Sequence, residues 1–287
     1  MTTPVDLMRA HAGLDVDLEA AGGGGVRARI RRLRSEGAIV LRPTRETLPR
    51  WADRWDIPPR EAVSVRVVAG AAGPLGGDHW RLDVRVGEGA TLLLGSVAAT
   101  LVLPGTHGDE SLSEVNVSVA AGGTLVWRPG VQIAASRCRH TTVARIDLAD
   151  GARLYAREEF MLGRHGEMPG DFRQRLRVTH RDVAIFDQEL SVGPDAPGWQ
   201  SAAITGGRQA LGSVVVVDSA PNAMDPFGRA TLVDCPDTAV LQLSEHAALI
   251  SSLAADAIDL RVRLDRAFAP FTLGRSARDV YGAGRSP

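Results

Sequence analysis

The chain has no lysine: its 33 lysine-plus-arginine residues are all arginine. Chemistry that needs a lysine amine, whether a Schiff base or the lysine of a phosphate-binding loop, is excluded. Cysteine is nearly absent, with only Cys138 and Cys235, far apart in the sequence. Two such thiols cannot make a disulfide framework, and they suit a reduced cytoplasmic setting. Net charge is −1 at neutral pH, so there is no overall basic pull toward nucleic acid and no acidic tail. The opening stretch "MTTPVDLMRAHAGLDVDLEA" lacks the apolar centre of a leader peptide, and no run approaches a membrane span. The expectation is a soluble cytoplasmic protein with neither nucleic acid nor membrane as partner. Also missing are a nucleophile elbow, the HExxH and CxxC patterns and a dinucleotide fingerprint.

The 287 residues are 44% apolar, enough for one large domain or two small ones. No linker divides them. We expect a single domain over 1–287, β-rich over 26–220 and mixed α/β over 221–275.

One template occurs three times, as "LDVRVGEGATLLL" from Leu82, "VNVSVAAGGTLVW" from Val115 and "ARIDLADGARLYA" from Ala144. Each is an alternating strand, two residues, a glycine, a small residue and a new apolar strand. Alternation at period two marks a half-buried strand, and the glycines Gly89, Gly122 and Gly151 supply the positive φ of a tight connection. The fold class that follows is mainly β: stacked strand–turn–strand units in a solenoid-like superhelix. "VSVRVVAG" from Val63 alternates in the same way, and "RLRVTHRDVAIFDQEL" from Arg175 reads as a hairpin with "HRD" as its turn. "SVVVVDSA" from Ser213 and "TAVLQL" from Thr238 are further strands. Beyond Ser244 the pattern changes. Leu249, Leu253, Ala257, Leu260 and Leu264 share a helical face, so a helix over 245–264 is expected, with Ser244 as N-cap and Glu245 in its first turn, among a few C-terminal helices.

Chemistry concentrates in "EEFMLGRHGE" (158–167), with three carboxylates, an arginine and a histidine. Glu158, Glu159 and Glu167 could do acid–base work, hold a divalent ion or pair with the nearby arginines. Ion pairing is the default reading. "CRH" (138–140) offers a thiolate and an imidazole, but two ligands make an incomplete metal site; a buried thiol beside a surface histidine is the simpler reading. "AGPLGGD" (72–78) precedes a strand rather than a helix and has no lysine, so it reads as a structural loop that aims Asp78. His11, His79, His107 and His246 are scattered and read as surface residues of loops or helix starts.

The order "GPLGGD", "GATLLLGSVAAT", "GTLVWRPGVQI", "LGRHGE" resembles the urease accessory protein family UreD, also called UreH. The likeness is closest over 60–190. It departs from the family pattern at "LVLPG" after Ala99-Thr100, at Val126, where the family carries glutamate, and at "PGVQ" (129–132). The resemblance implies a non-enzymatic scaffold built as a β-superhelix. Its partners would be UreF, the GTPase UreG and the urease apoprotein subunits, with a homodimer of heteromers among the assemblies. No cofactor would be tightly bound, and nickel would pass in transit. It also implies candidate metal-contacting acids: Glu158, four residues before the Leu-Gly-Arg, Asp78, which closes the Gly-Gly-Asp loop, and Asp187 or Glu189 in "FDQEL". Such acids would line a polar passage whose contacts are weak and multiple, so that the ion can leave again. The contrasting expectations are a β-solenoid hydrolase or isomerase using Glu158, Glu159 and Glu167, and a purely structural β protein that binds a partner.

Overall fold

The structure, a computed structural model, describes residues 7–106, 108–220 and 235–271. The tail "YGAGRSP", residues 221–234 and His107 lie outside the described residues. In chain order the strands are β1 (Arg9–Ala21), β2 (Gly25–Arg34), β3 (Ile39–Thr44), β4 (Ala62–Ala69), β5 (His79–Val86), β6 (Thr91–Ser96), β7 (Thr100–Val102), β8 (Ser111–Val119) and β9 (Thr124–Arg128). They continue as β10 (Gln132–Ala134), β11 (Arg139–Leu148), β12 (Arg153–Leu162), β13 (Asp171–His180), β14 (Val183–Val192), β15 (Ala210–Asp218), β16 (Thr238–Ser244) and β17 (Ala247–Ala254), before a helix α1 (Ala257–Phe268). Strands hold 55% of the residues, far above the 20–25% or so of ordinary globular proteins.

Two sheets carry the architecture. The first runs β14-β13-β11-β8-β5-β1-β2, and the second β16-β17-β15-β12-β9-β6-β4-β3, with β10 paired to β12 and β7 paired to β10. The chain alternates between them, so β5, β8, β11 and β13 stack in parallel in one sheet and β4, β6, β9 and β12 in the other. This is a solenoid-like arrangement of about 4 turns. Antiparallel strands close each end: β2 on β1, β3 on β4, β14 on β13 and β15 on β12.

The repeated glycines make the corners. Gly89, Gly122 and Gly151 have φ of 64°, 65° and 66°, and each turns a first-sheet strand into the next second-sheet strand. The turns stack as the strands do: the Gly89 N–H donates to the Ala121 carbonyl and the Gly122 N–H to Asp150. A Cβ on Gly122 would meet nothing closer than Gly89 at 3.9 Å, so only the left-handed backbone demands glycine there. We expect Gly122→Ala to cost about 1–2 kcal/mol, read as a lowered urea midpoint. An unchanged midpoint would show that the conformation is not required.

Because the strands are parallel and in register, equivalent positions of successive repeats form layers. Leu14, Val84, Val117, Ile146 and Val178 are one such ladder, and Val16, Val86, Val119 and Leu148 the next. Leu92, Leu125 and Leu154 answer them from the second sheet. All are buried, and each contributes about 1.5–3 kcal/mol of apolar burial. The first sheet buries one face and keeps alternating charged residues on the other, whereas the second is covered on both. Its outward residues Leu93, Val126, Tyr155, Val214, Val216 and Ile250 pack with Leu260, Leu264 and Phe268 of α1.

The expected helix over 245–264 is not formed as such. Its first half is β17, in which Leu249 belongs to the central core and Ile250 to the outer cluster. Positions four apart share a face in a strand as well as in a helix, so Leu249, Leu253 and Ala257 could not separate the two. The Ser244 hydroxyl accepts from the His246 N–H inside a turn. The cap of α1 is Asp256, whose carboxylate accepts from the Ile258 and Asp259 amides. One α-helix, not several, lies among the described C-terminal residues. The hairpin at Arg175 is formed, with Arg181 and Asp182 in the left-handed region at its turn. No helix among the described residues is long and apolar enough to cross a membrane.

Candidate functional site

Alternation along β12 sends Leu154, Ala156, Glu158 and Phe160 inward and Tyr155, Arg157 and Glu159 outward. The first two inward residues join the apolar ladders. Glu158 is 1% exposed and stands beyond the apolar layers. Its Oε2 accepts from Gln174 Nε2 at 2.7 Å, while Oε1 has no partner among the described residues. Burial pushes its carboxyl up to about 8, opposed by the Gln174 hydrogen bond. It would therefore be largely protonated at neutral pH.

Glu158 faces a cavity of about 360 Å³ between the sheets. Trp80, Ser113, Thr142, Gln132 and Trp127 also line it, and the Trp80 indole N–H is another buried group with no partner among the described residues. Two polar atoms unpaired among the described residues, in one largely apolar space of this size, leave room and partners for water at that end of it. Val97, exposed at 67%, with Ala98 and Ala99, lines it where it meets the surface. A hydrogen-bonded chain flanks it: Ser111 Oγ lies 2.8 Å from His140 Nδ1, His140 Nε2 lies 3.3 Å from Thr142 Oγ1, and Thr142 Oγ1 lies 3.2 Å from Gln132 Oε1. His140 is thus buried, not the surface histidine the sequence suggested, and burial lowers its pKa to about 4. It is neutral near pH 7.

The remaining candidates lie elsewhere. Glu159 faces α1, paired with Arg157 at 2.7 Å and Arg261 at 2.8 Å. Glu167 clamps its own turn, accepting from the Arg164 guanidinium and the Ser136 amide, and Arg164 holds it down to about 2. Glu158, Glu159 and Glu167 point in three directions and form no convergent carboxylate pair. Asp78 is buried and accepts from the Met8 and Leu75 amides; it braces the loop whose Gly73 lines the cavity. Asp187 and Glu189 are on the outer face of the first sheet, paired with Arg175 and Arg173. Of the four acids that the resemblance singled out, only Glu158 lines the cavity. His11 and His79 sit on strands, paired with Asp83 and Glu114. The thiol of Cys138 is buried, and burial raises it to about 11, so it stays protonated. Among the described residues no three His, Cys, Asp or Glu side chains stand close enough to hold a metal ion.

Sequence reading missed Trp80, Ser113, Thr142, Gln132 and Gln174. A signal for three of them was present. Trp80, Ser113 and Thr142 each stand nine residues before a corner glycine, so they share one layer, and the register continues it to Gln174.

The UreD urease accessory protein family model matches residues 10–280. The chain is 41% identical over 238 residues to a urease accessory protein UreD of Streptomyces avermitilis, covering 83% of this chain and 88% of that one. It is 39% identical over 270 residues to that of Streptomyces coelicolor, covering 94% and 99%, and 37% identical over 279 residues to that of Frankia alni, covering 90% and 91%. With the solenoid, the matched length and these identities in agreement, the chain belongs to the UreD family of urease accessory proteins.

Proposed function

We propose that this chain is a non-catalytic, cytoplasmic scaffold of urease maturation that passes nickel toward the apo-urease through the cavity at Glu158, in complex with UreF, UreG and the urease subunits. The observation that carries the passage is a buried carboxylate with one oxygen unpartnered among the described residues, facing a largely apolar cavity in which Thr142 and Gln132 supply neutral oxygens. Glu158, Thr142 and Gln132 would offer a Ni²⁺ ion borderline-to-hard ligands in a weak, incomplete set, with Gln174 holding Glu158 in place. Such a set lets an ion and its water through rather than capturing it. Asp78 supports the passage from behind by fixing the loop at its wall. Asp187 and Glu189 lie on the other side of the first sheet and take no part in it. Nothing in the geometry favours a hydrolase, because the three glutamates do not meet.

The test is Glu158→Gln in a chain co-expressed with urease and its accessory proteins. Glutamine copies the neutral acid and keeps the Gln174 contact, but it has no proton to give up when a cation arrives and so cannot become an anionic ligand. The expected result is a several-fold fall in nickel per urease and in urease activity, with co-purification of the accessory complex unchanged. Full nickel loading of urease by this variant would end the proposal.

A further inference from the structure

The outward face of the first sheet carries a second feature, unconnected with the cavity. Thr141, Val143, Arg145, Arg173, Arg175 and Arg177 of β11 and β13, with Glu189 of β14, line a surface recess of about 270 Å³. Register places Thr141 beside Arg173, Val143 beside Arg175 and Arg145 beside Arg177. Arginines at alternate positions of β13 therefore form a row, and a fourth stands directly opposite its end. Like charges facing each other across neighbouring strands are destabilising, unless an anion lies between them.

The acids within reach do not balance this row. Arg175 alone is held in a two-pronged pair, both contacts with Asp187 at 2.9 Å. Arg177 reaches the same carboxylate at 3.5 Å and Arg173 reaches Glu189 at 3.6 Å. Arg145 leans away toward Glu114 at 3.2 Å. One flank of the row thus meets Asp187 and Glu189, two residues apart on an extended strand, and of the recess-lining residues only Glu189 is acidic against four arginines.

We infer that this recess binds an extended, acidic segment of a partner protein, with carboxylates at alternate positions. An extended chain repeats its side chains every 6.6–6.8 Å or so, which is the repeat of Arg173, Arg175 and Arg177. Asp187 and Glu189 already satisfy one flank with that chemistry. A single-stranded nucleic acid would want aromatic platforms for its bases, and none lines the recess. Because the contacts are half-exposed ion pairs, the binding is salt-sensitive and serves orientation and on-rate more than affinity.

The probe is a fluorescein-labelled peptide of about ten residues alternating Glu and Ser, titrated with the full-length chain in low salt and followed by anisotropy. A Lys-Ser peptide and an oligo-dT serve as controls. The triple variant R145S/R173S/R177S, which leaves the Arg175–Asp187 pair in place, is expected to weaken the acidic peptide by about tenfold, ~1.4 kcal/mol, at an unchanged melting temperature. Should that variant fold poorly, D187N/E189Q carries the test from the other side and is expected to bind several-fold more tightly. Peptide binding insensitive to both variants overturns the inference. So does oligo-dT binding as tight as the peptide's, which would mark a general polyanion surface.

Discussion

Glu158→Gln is expected to gain stability over the wild type as pH rises from about 5 to about 8, and to keep that margin at higher pH. The folded carboxyl titrates near 8 and its ordinary value is 4.5, so between those pH values the folded state holds a proton that the unfolded state has lost. Stability then falls as pH rises through this window, by up to about 1.4 kcal/mol per unit. Glutamine copies the protonated acid and does not titrate, so the variant escapes the decline. His140 acts in the opposite sense. Its ring is lowered from 6.5 to about 4, so the unfolded state holds the extra proton between those values and stability rises with pH there. Where the windows overlap, from 4.5 to 6.5, the two slopes oppose each other, and His180, also lowered by burial, adds to that of His140. Between 6.5 and about 8 the Glu158 slope is left, and the buried Cys138 thiol adds a fall of the same sign only above 9. Urea unfolding at steps from about pH 5 to 9 should give a wild-type curve that falls above about 6.5, and a variant curve that does not. Parallel curves above that point would mean that the carboxyl is not buried in its neutral form.

One residue further along, the expectation reverses. Glu159→Ala should destabilise the fold by roughly 3–5 kcal/mol. The Glu159 and Arg157 side chains are 8% and 6% exposed, and Glu159 also holds Arg261. Truncating the acid leaves a buried guanidinium with Asp265 as its remaining acidic partner. Against a typical total of about 5–15 kcal/mol, the loss is large. Replacing both members by apolar residues, as in Glu159→Leu with Arg157→Met, should recover most of it, since the cost lies in stranding one charge rather than in losing the pair. Equilibrium denaturation of the two variants decides this. A loss below about 1 kcal/mol for Glu159→Ala would put the pair among solvent-screened surface bridges.

These neighbours show what the sequence can and cannot reveal. The alternation of β12 already implied that Glu158 and Glu159 face opposite sides. Which side is the interior depends on α1 and the outer cluster, which cover the second sheet and make both faces apolar; a one-sided hydrophobic pattern is therefore absent. The repeats were legible because three corners need a left-handed residue, and glycine meets that need visibly. Their shared register carried more than was read from it: the layer of Trp80, Ser113 and Thr142 follows from the same spacing. The burial of His140 was hidden because its partners, Ser111 and Thr142, satisfy it across strands rather than along the chain. The β17 strand was mistaken for helix because a four-residue spacing of leucines fits both periods. The resemblance put Asp78 among the candidate acids, whereas its loop read as structural, and in the structure its carboxylate accepts from two backbone amides.

The polar layer has a consequence for dimension. Trp80, Ser113, Thr142 and Gln174 belong to four successive strands of one stack, so the line they form runs across the strands, in steps of about 4.8 Å. Three steps span about 14 Å. The distance covered by this line is thus counted in turns of the solenoid, whereas the width of the space beside it is set by side-chain size within one turn. Adding or deleting a whole turn would change the first by a fixed increment and leave the second untouched, and a substitution such as Thr142→Val would do the reverse. Reach and bore are independent variables in this architecture, adjusted by different kinds of sequence change.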